Sequence, residues 1–248
     1  MTRAEWSTRC DLAALYRLLD HFRMTDLIDT HISARVPGPE QHFLINRYGV
    51  LFHEMRASDL VRVDYRGDVV TLPGGDAARA KVNAAGFTIH SAVHVARPDL
   101  HCVIHTHTAA GMAVAAQRDG LLPISQHALK FYGRVAYHDY EGVALDLDER
   151  ARLVADLGQA NVMILRNHGL LAAGRTIGAA FREIYMLERA CQAQVQALAG
   201  GQTLSIPPVH VCEKTAAQFG GCGADEFAAF AWQSALRLLE PGAPDYRS

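Results

Sequence analysis

His101-Cys102-Val103-Ile104-His105-Thr106-His107 reads as a strand that leads straight into a helix over about 108–117. Side chains alternate between faces along a strand, so residues two apart point the same way. His105 and His107 therefore sit side by side at the strand's end. Neutral imidazole is the commonest nitrogen ligand for Zn2+, Fe2+ and similar ions. A third histidine on another element would complete a site with coordination positions left open. His168 fits that place. It follows an apolar strand over 160–166 and precedes Gly169, whose missing side chain lets the chain turn closely. The same pattern also suits hydrogen-bonded histidines at strand ends, because HxH alone is a short motif.

Outward from this strand, a helix is predicted from about Ala78 to Ala96, ending before Pro98. His90 and His94 are four apart on it and share a face. That pairing suits polar residues at a helix–sheet boundary, and it also lets His90 reach the site from behind the ligands. Further upstream, a first helix over about 8–24 carries Leu12, Leu15, Leu19 and Phe22 on one face, with Ser7 or Thr8 as cap. Short strands follow near 31–36, 42–46, 60–64 and 69–72, separated by turn signals such as Pro37-Gly38-Pro39. Downstream, Asp146 to Glu149 reads as the cap of a helix near 148, and 176–198 as a long amphipathic helix. A last helix is expected over 225–240, with a tail from Pro241. Strands and helices do not alternate strictly, so a mixed or antiparallel sheet covered by helices is expected.

Composition narrows the function. Half of the 248 residues are apolar and a fifth are charged, the balance of an ordinary globular protein with a sizeable core. A formal net charge of −2 gives no electrostatic case for nucleic acid or an acidic membrane. Met1 to Trp6 has no apolar signal-like region, and no apolar run approaches the roughly 20 residues that span a bilayer. Five scattered cysteines point to reduced thiols and the cytoplasm. GxGxxG, Walker and GxSxG motifs are absent from the sequence. Arg47 and Arg166 are candidates to bind a substrate carboxylate bidentately, although pairing or solvation is the ordinary fate of an arginine.

The stretch from about His90 through Arg97-Pro98-Asp99 and Val103 to His107, then Leu165-Arg166-Asn167-His168-Gly169-Leu170, resembles the class II aldolase/adducin family. The motif order matches over about residues 8–200. The resemblance implies a three-layer α/β/α sandwich with a mixed, largely antiparallel central sheet. It implies one such domain over 1–248, with a core at about 8–200 and a C-terminal helical extension at about 210–240. It assigns His105, His107 and His168 to a divalent metal, with Zn2+ the first choice and Mn2+ or Fe2+ the alternatives. It also implies a small-molecule substrate and a homo-oligomer, commonly a tetramer.

The departures from the family pattern matter as much. The aldolases' catalytic glutamate aligns with Gly86, which can neither ligate nor move a proton. The donors around a sugar phosphate also differ: the family's Gly-Asn reads Thr30-His31, its Thr-Gly or Ser-Gly reads Tyr48-Gly49, and its serine pair reads Ala84-Ala85. His31, Tyr48, Arg47 and Arg166 are therefore the expected substrate contacts, and the substrate is expected to lack a phosphate. The family's functional tyrosine aligns with His138. His138, Tyr140 and His90 are thus the candidates for proton chemistry. The expected activity is a metal-dependent lyase, by retro-aldol cleavage or decarboxylation, in which the metal stabilises an enediolate or enolate. The alternatives are a non-haem iron oxygenase or a catalytically inactive adducin-like assembly module.

Overall fold

The computed structural model describes residues 1–75, 80–239 and 245–248. Its helices are α1 (Arg3–His21), α2 (Ala84–Ala96), α3 (Ala109–Ala115), α4 (Gln126–Leu129), α5 (Glu149–Leu157), α6 (Ile177–Ala199), α7 (Val209–Phe219) and α8 (Ala224–Leu236). Its strands are β1 (His31–Arg35), β2 (His42–Asn46), β3 (Leu60–Asp64), β4 (Val69–Thr71), β5 (Cys102–Thr106), β6 (Val135–His138), β7 (Val162–Leu165) and β8 (Gly169–Gly174). They form one sheet in the order β4-β3-β2-β1-β5-β8-β7-β6. Every described pair is antiparallel except β6–β7. This is the expected mixed, largely antiparallel sheet with helices on both sides.

Period-two alternation divides the core. Ile32, Ala34, Ile104, Leu170 and Ala172 face α1 and α6 and belong to the larger cluster. Val103, Leu171, Ala173, Met163 and Leu165 face the other way, with Ile89 and Val93 of α2 and Leu153 of α5. Both faces are thus buried, as a three-layer arrangement requires. Caps fix where the helices start. Asn83 Oδ1 accepts from the Gly86 N–H at 3.1 Å, Thr108 Oγ1 from Gly111 at 3.1 Å, and Thr176 Oγ1 from Ala179 at 3.0 Å.

Several boundaries differ from expectation. α1 starts at Arg3, because Thr2 Oγ1 caps it by accepting from the Glu5 N–H. α2 starts at Ala84, since Asn83 terminates the chain's extended approach; the expected start at Ala78 lies outside the described residues. Of the expected tail from Pro241, 241–244 lie outside them as well, while 245–248 pack back on the core: Tyr246 is buried and its carbonyl accepts from the Ala57 N–H at 2.8 Å. Asp148 makes no side-chain cap for α5, and Asp146 Oδ1 instead accepts from the Asp148 N–H at 2.9 Å. The Arg97-Pro98-Asp99 stretch is a clamp. Arg97 donates to Asp99 at 2.8 and 2.9 Å and to the Gly158 and Ala160 carbonyls at 3.0 Å, tying the end of α2 to the α5–β7 turn. Among the described residues, no helix is long and apolar enough to cross a membrane.

Candidate metal centre

The end of β5 and the turn from β7 to β8 are neighbours in the sheet, so their histidines meet. Asn167 holds a positive φ of 55°, which asparagine tolerates, and turns the chain so that His168 swings towards β5. Gly169 is required behind it: a Cβ there would lie 2.4 Å from the Thr106 carbonyl oxygen. The three Nε2 atoms converge, at 2.7 Å for His105–His107, 3.0 Å for His107–His168 and 3.3 Å for His105–His168. Ligands 2.0–2.1 Å from one tetrahedral ion lie about 3.3 Å apart, so the cluster is near that size.

Tautomers decide what the cluster is. His105 Nδ1 lies 2.9 Å from the Leu170 carbonyl oxygen, which can only accept, so Nδ1 carries the proton. His107 Nδ1 lies 3.2 Å from Asp26 Oδ2, which assigns its proton the same way. Both Nε2 atoms therefore present bare lone pairs to each other at 2.7 Å. Two such lone pairs repel unless a cation lies between them, and this fits a metal rather than a hydrogen-bonded histidine cluster. Burial holds His105 well below its ordinary pKa and, with the charge of His107 a smaller cause, lowers His168 to about 4. These two side chains are thus neutral at pH 7, the form in which an imidazole can ligate.

A cavity of about 500 Å³ opens over the three histidines. His31 and Tyr48 line it with Ala84, Ala85, Tyr140, Asp26 and Asp29. No Lys or Arg is among its described lining residues. His31 faces His105 directly across the β1–β5 pairing, with ring centroids 5.0 Å apart. Gly86 explains how His31 fits. A Cβ at residue 86 would lie 2.5 Å from His31 Cδ2 and 2.8 Å from its Nε2. The imidazole thus occupies the space that any side chain at 86 would need.

The remaining candidates separate. Tyr140 is half exposed, with its ring 6.3 Å from that of His168. His138 lines a small cleft beside His168. Both its ring nitrogens already meet carboxylates, Asp156 at 2.7 Å and Glu149 at 3.4 Å. His90 lies behind His31 and does not reach the three ligands; its Nε2 is 2.8 Å from His31 Nδ1. Arg166 lies in the adjoining cleft, donating to the Gln117 carbonyl at 2.8 Å and stacked over Tyr137. Arg47 is outside the described lining and pairs with Asp59 at 3.4 Å. Asp26, Asp29 and Ser33 escaped the sequence reading. The two aspartates sit in the irregular α1–β1 connection, where no periodicity marks a residue's direction. Ser33 was legible in principle, two residues after His31 on the same strand face.

The family described as Class II Aldolase and Adducin N-terminal domain matches residues 10–195. A Caulobacter vibrioides protein that carries an aldolase class 2 designation is 48% identical over 247 residues, covering 99% of this chain and 94% of that protein. Alpha-adducin of Rattus norvegicus is 47% identical over 198 residues, covering 79% of this chain and 26% of adducin. The crystal structure of an aldolase II superfamily protein from Pseudomonas syringae is 52% identical, with a TM-score of 0.95, covering 100% of this chain and 98% of that one. L-fuculose 1-phosphate aldolase from Glaciozyma antarctica is 30% identical with a TM-score of 0.83, covering 96% of this chain and 92% of that one. The chain belongs to the class II aldolase and adducin family.

Proposed function

We propose that this chain is a metal-dependent lyase that breaks a C–C bond, by retro-aldol cleavage or decarboxylation, in a small carbonyl or carboxylate substrate without a phosphate. The observation that carries the reading is the pair of bare Nε2 atoms 2.7 Å apart on His105 and His107, with His168 closing the triangle. A divalent ion held by these three residues, zinc in the first instance, supplies Lewis-acid polarisation of a substrate oxygen. The Leu170 carbonyl and Asp26 fix the ring tautomers that make His105 and His107 ligands. Tyr140 is the group that moves a proton to or from the substrate; it lines the cavity, whereas His138 is committed to Asp156 and Glu149.

The cavity wall supports the substrate class. A phosphate dianion needs several converging donors or a cation. Here Asp26 and Asp29 are the charged lining groups, and Ala84 and Ala85 offer no hydroxyl. Val143 and Leu145, both largely exposed at the cavity's edge, add apolar surface suited to a flat or aromatic acid. A homo-oligomer belongs to the same reading, since Phe227 and Phe230 of α8 are also left exposed.

The test is a side-by-side assay of the zinc-loaded protein on 2-keto acids, hydroxyaldehydes, aromatic acids, fuculose 1-phosphate and ribulose 5-phosphate. Turnover confined to the non-phosphorylated compounds is expected. A sugar phosphate turned over at kcat/KM of about 10⁴ M⁻¹s⁻¹ or more overturns the substrate class. The similarity to alpha-adducin and the glycine at 86 favour a second reading, an assembly module without catalysis. Protein that folds and assembles yet carries no zinc by elemental analysis establishes that reading instead.

A further inference from the structure

Behind the metal ligands lies a second, wholly buried cluster. Its members are His31 and Ser33 on one face of β1, and His90 and His94 one turn apart on α2. They form a single file. His94 Nε2 is 2.8 Å from Ser33 Oγ, Ser33 Oγ is 2.5 Å from His90 Nδ1, and His90 Nε2 is 2.8 Å from His31 Nδ1. His31 Nε2 meets no described partner and lies on the cavity side, beside Gly86.

A neutral imidazole has one N–H and one bare nitrogen, and a serine hydroxyl has one proton to give. Ser33 is buried and meets no other described acceptor, so an arrangement in which it accepts from both histidines would strand its own proton; with that proton used inside the file, the file runs in one of two directions. In the first, His94 Nε2–H donates to Ser33 Oγ, Ser33 donates to His90 Nδ1, and His90 Nε2–H donates to His31 Nδ1. His31 is left with an N–H at Nε2. In the second, every donation is reversed and His31 presents a bare nitrogen to the cavity. The two differ at the far end. His94 Nδ1 is buried without a described partner. The second direction puts a proton there and strands a buried N–H donor, which folded proteins avoid more strictly than an unfilled acceptor. The first leaves only a bare acceptor. No carboxylate is among the described hydrogen-bond partners of these three buried imidazoles, so none has a counter-ion to hold a second proton and each carries one.

We propose that the His94–Ser33–His90 file fixes His31 as a neutral N–H donor aimed into the cavity, where it hydrogen-bonds a substrate oxygen beside the three-histidine site. The inference deepens the metal-site reading above and rests on it. His31 is then an electrophilic group and not a base, and His90, Ser33 and His94 are its positioning residues. Preorganised donors of this kind act where negative charge develops. The ligand class follows: an oxygen acceptor such as a ketone or carboxylate oxygen, held by His31 Nε2–H in the cavity over His105, His107 and His168.

Neutron diffraction from crystals of the zinc-loaded protein in D2O tests the direction without any assay. Deuterium on His31 Nε2, with His94 Nδ1 bare, is expected; deuterium on His31 Nδ1 overturns the proposal. Binding gives a second arm, with oxalate as the probe and the visible spectrum of the cobalt-substituted protein as the readout. His31→Leu is expected to retain metal and to bind oxalate roughly ten- to a hundred-fold more weakly, the effect of one hydrogen bond to a charged group. Unchanged oxalate affinity in metal-replete His31→Leu overturns the contact. Ser33→Ala, which cuts the file, is expected to weaken oxalate several-fold at full metal content, with Ser33→Thr restoring it. An unchanged Ser33→Ala overturns the positioning role. Loss of the metal reading itself is seen separately, as absence of metal from the native protein by elemental analysis.

Discussion

Two cavities sit at opposite ends of β7 and β8, and they differ in how their lining groups are paired. The one at the start of β6 and β7 encloses about 640 Å³ against about 500 Å³ at the histidines. It is lined by Lys130, Arg134, Arg175 and Arg182, opposed by Asp156, Glu183 and Asp225. Its buried cation is already answered: Lys130 pairs with Glu183 and stacks over Phe131 at 4.3 Å. The histidine cavity is the reverse. It has no lysine or arginine among its described lining residues, and the bare Nε2 atoms of His105 and His107 point at one another. Charges that satisfy each other give structure, whereas lone pairs that converge unsatisfied give a place for an ion. Volume does not distinguish the two; the direction of the lone pairs does.

The sharpest way to break this contrast is His107→Ala. Zinc affinity is expected to fall by more than about a hundred-fold, because partners one shell further out already command 10–100-fold. Elemental analysis after dialysis reads the result. Lys130→Met serves as the companion variant: it is expected to leave zinc content intact while lowering stability by about 2 kcal/mol. That is below the 3–5 kcal/mol of a fully buried pair, because Glu183 remains 20% exposed. Zinc lost equally from both variants would erase the distinction.

A second expectation concerns acid. His90 and His94 are buried and held well below their ordinary pKa near 6.5. The unfolded chain takes up their protons first, so stability is full above about pH 6.5 and is lost as pH falls from there towards the folded values. Each histidine contributes a slope of about 1.4 kcal/mol per pH unit within that window. Urea titrations of chelator-treated protein at pH 7.5, 6.5 and 5.5 measure it, and a midpoint that stays flat from 6.5 to 5.5 refutes it. The smallest effect is expected from Asp26→Asn, which retains the shape but loses the charge facing His107 Nδ1. Zinc should bind about ten-fold more weakly, as seen in a chelator competition, with folding unchanged.

Much of this was legible in the chain. The strands near 31–36, 42–46 and 60–64 lie within a residue or so of β1, β2 and β3, because alternation and Gly/Pro turns mark them. The three convergent histidines were readable from spacing and a following glycine. β8 was missed: Gly169–Gly174 is Gly-Leu-Leu-Ala-Ala-Gly, short, apolar and without alternation, since the sheet buries it on both faces. Asp26 was missed because its direction is set by a loop with positive φ at Arg23 and Leu27, a geometry that no local periodicity encodes. Gly86 read as a loss, and only the packing reveals that His31 fills the vacated space.

Asn167, His168 and Gly169 leave the backbone almost no alternative, with a left-handed residue on one side and a carbonyl contact on the other. Tyr48, Val143 and Leu145 carry no such constraint; they are exposed and rim the same cavity. Mutational tolerance should therefore divide along the cavity itself, with an intolerant floor at the three histidines and a permissive rim. A lineage on this scaffold can change the shape of the cavity by drifting at the rim, one residue at a time, without passing through variants that have lost the convergence of the three histidines. The rigidity of a three-residue turn is in that sense what makes the rest of the site evolvable.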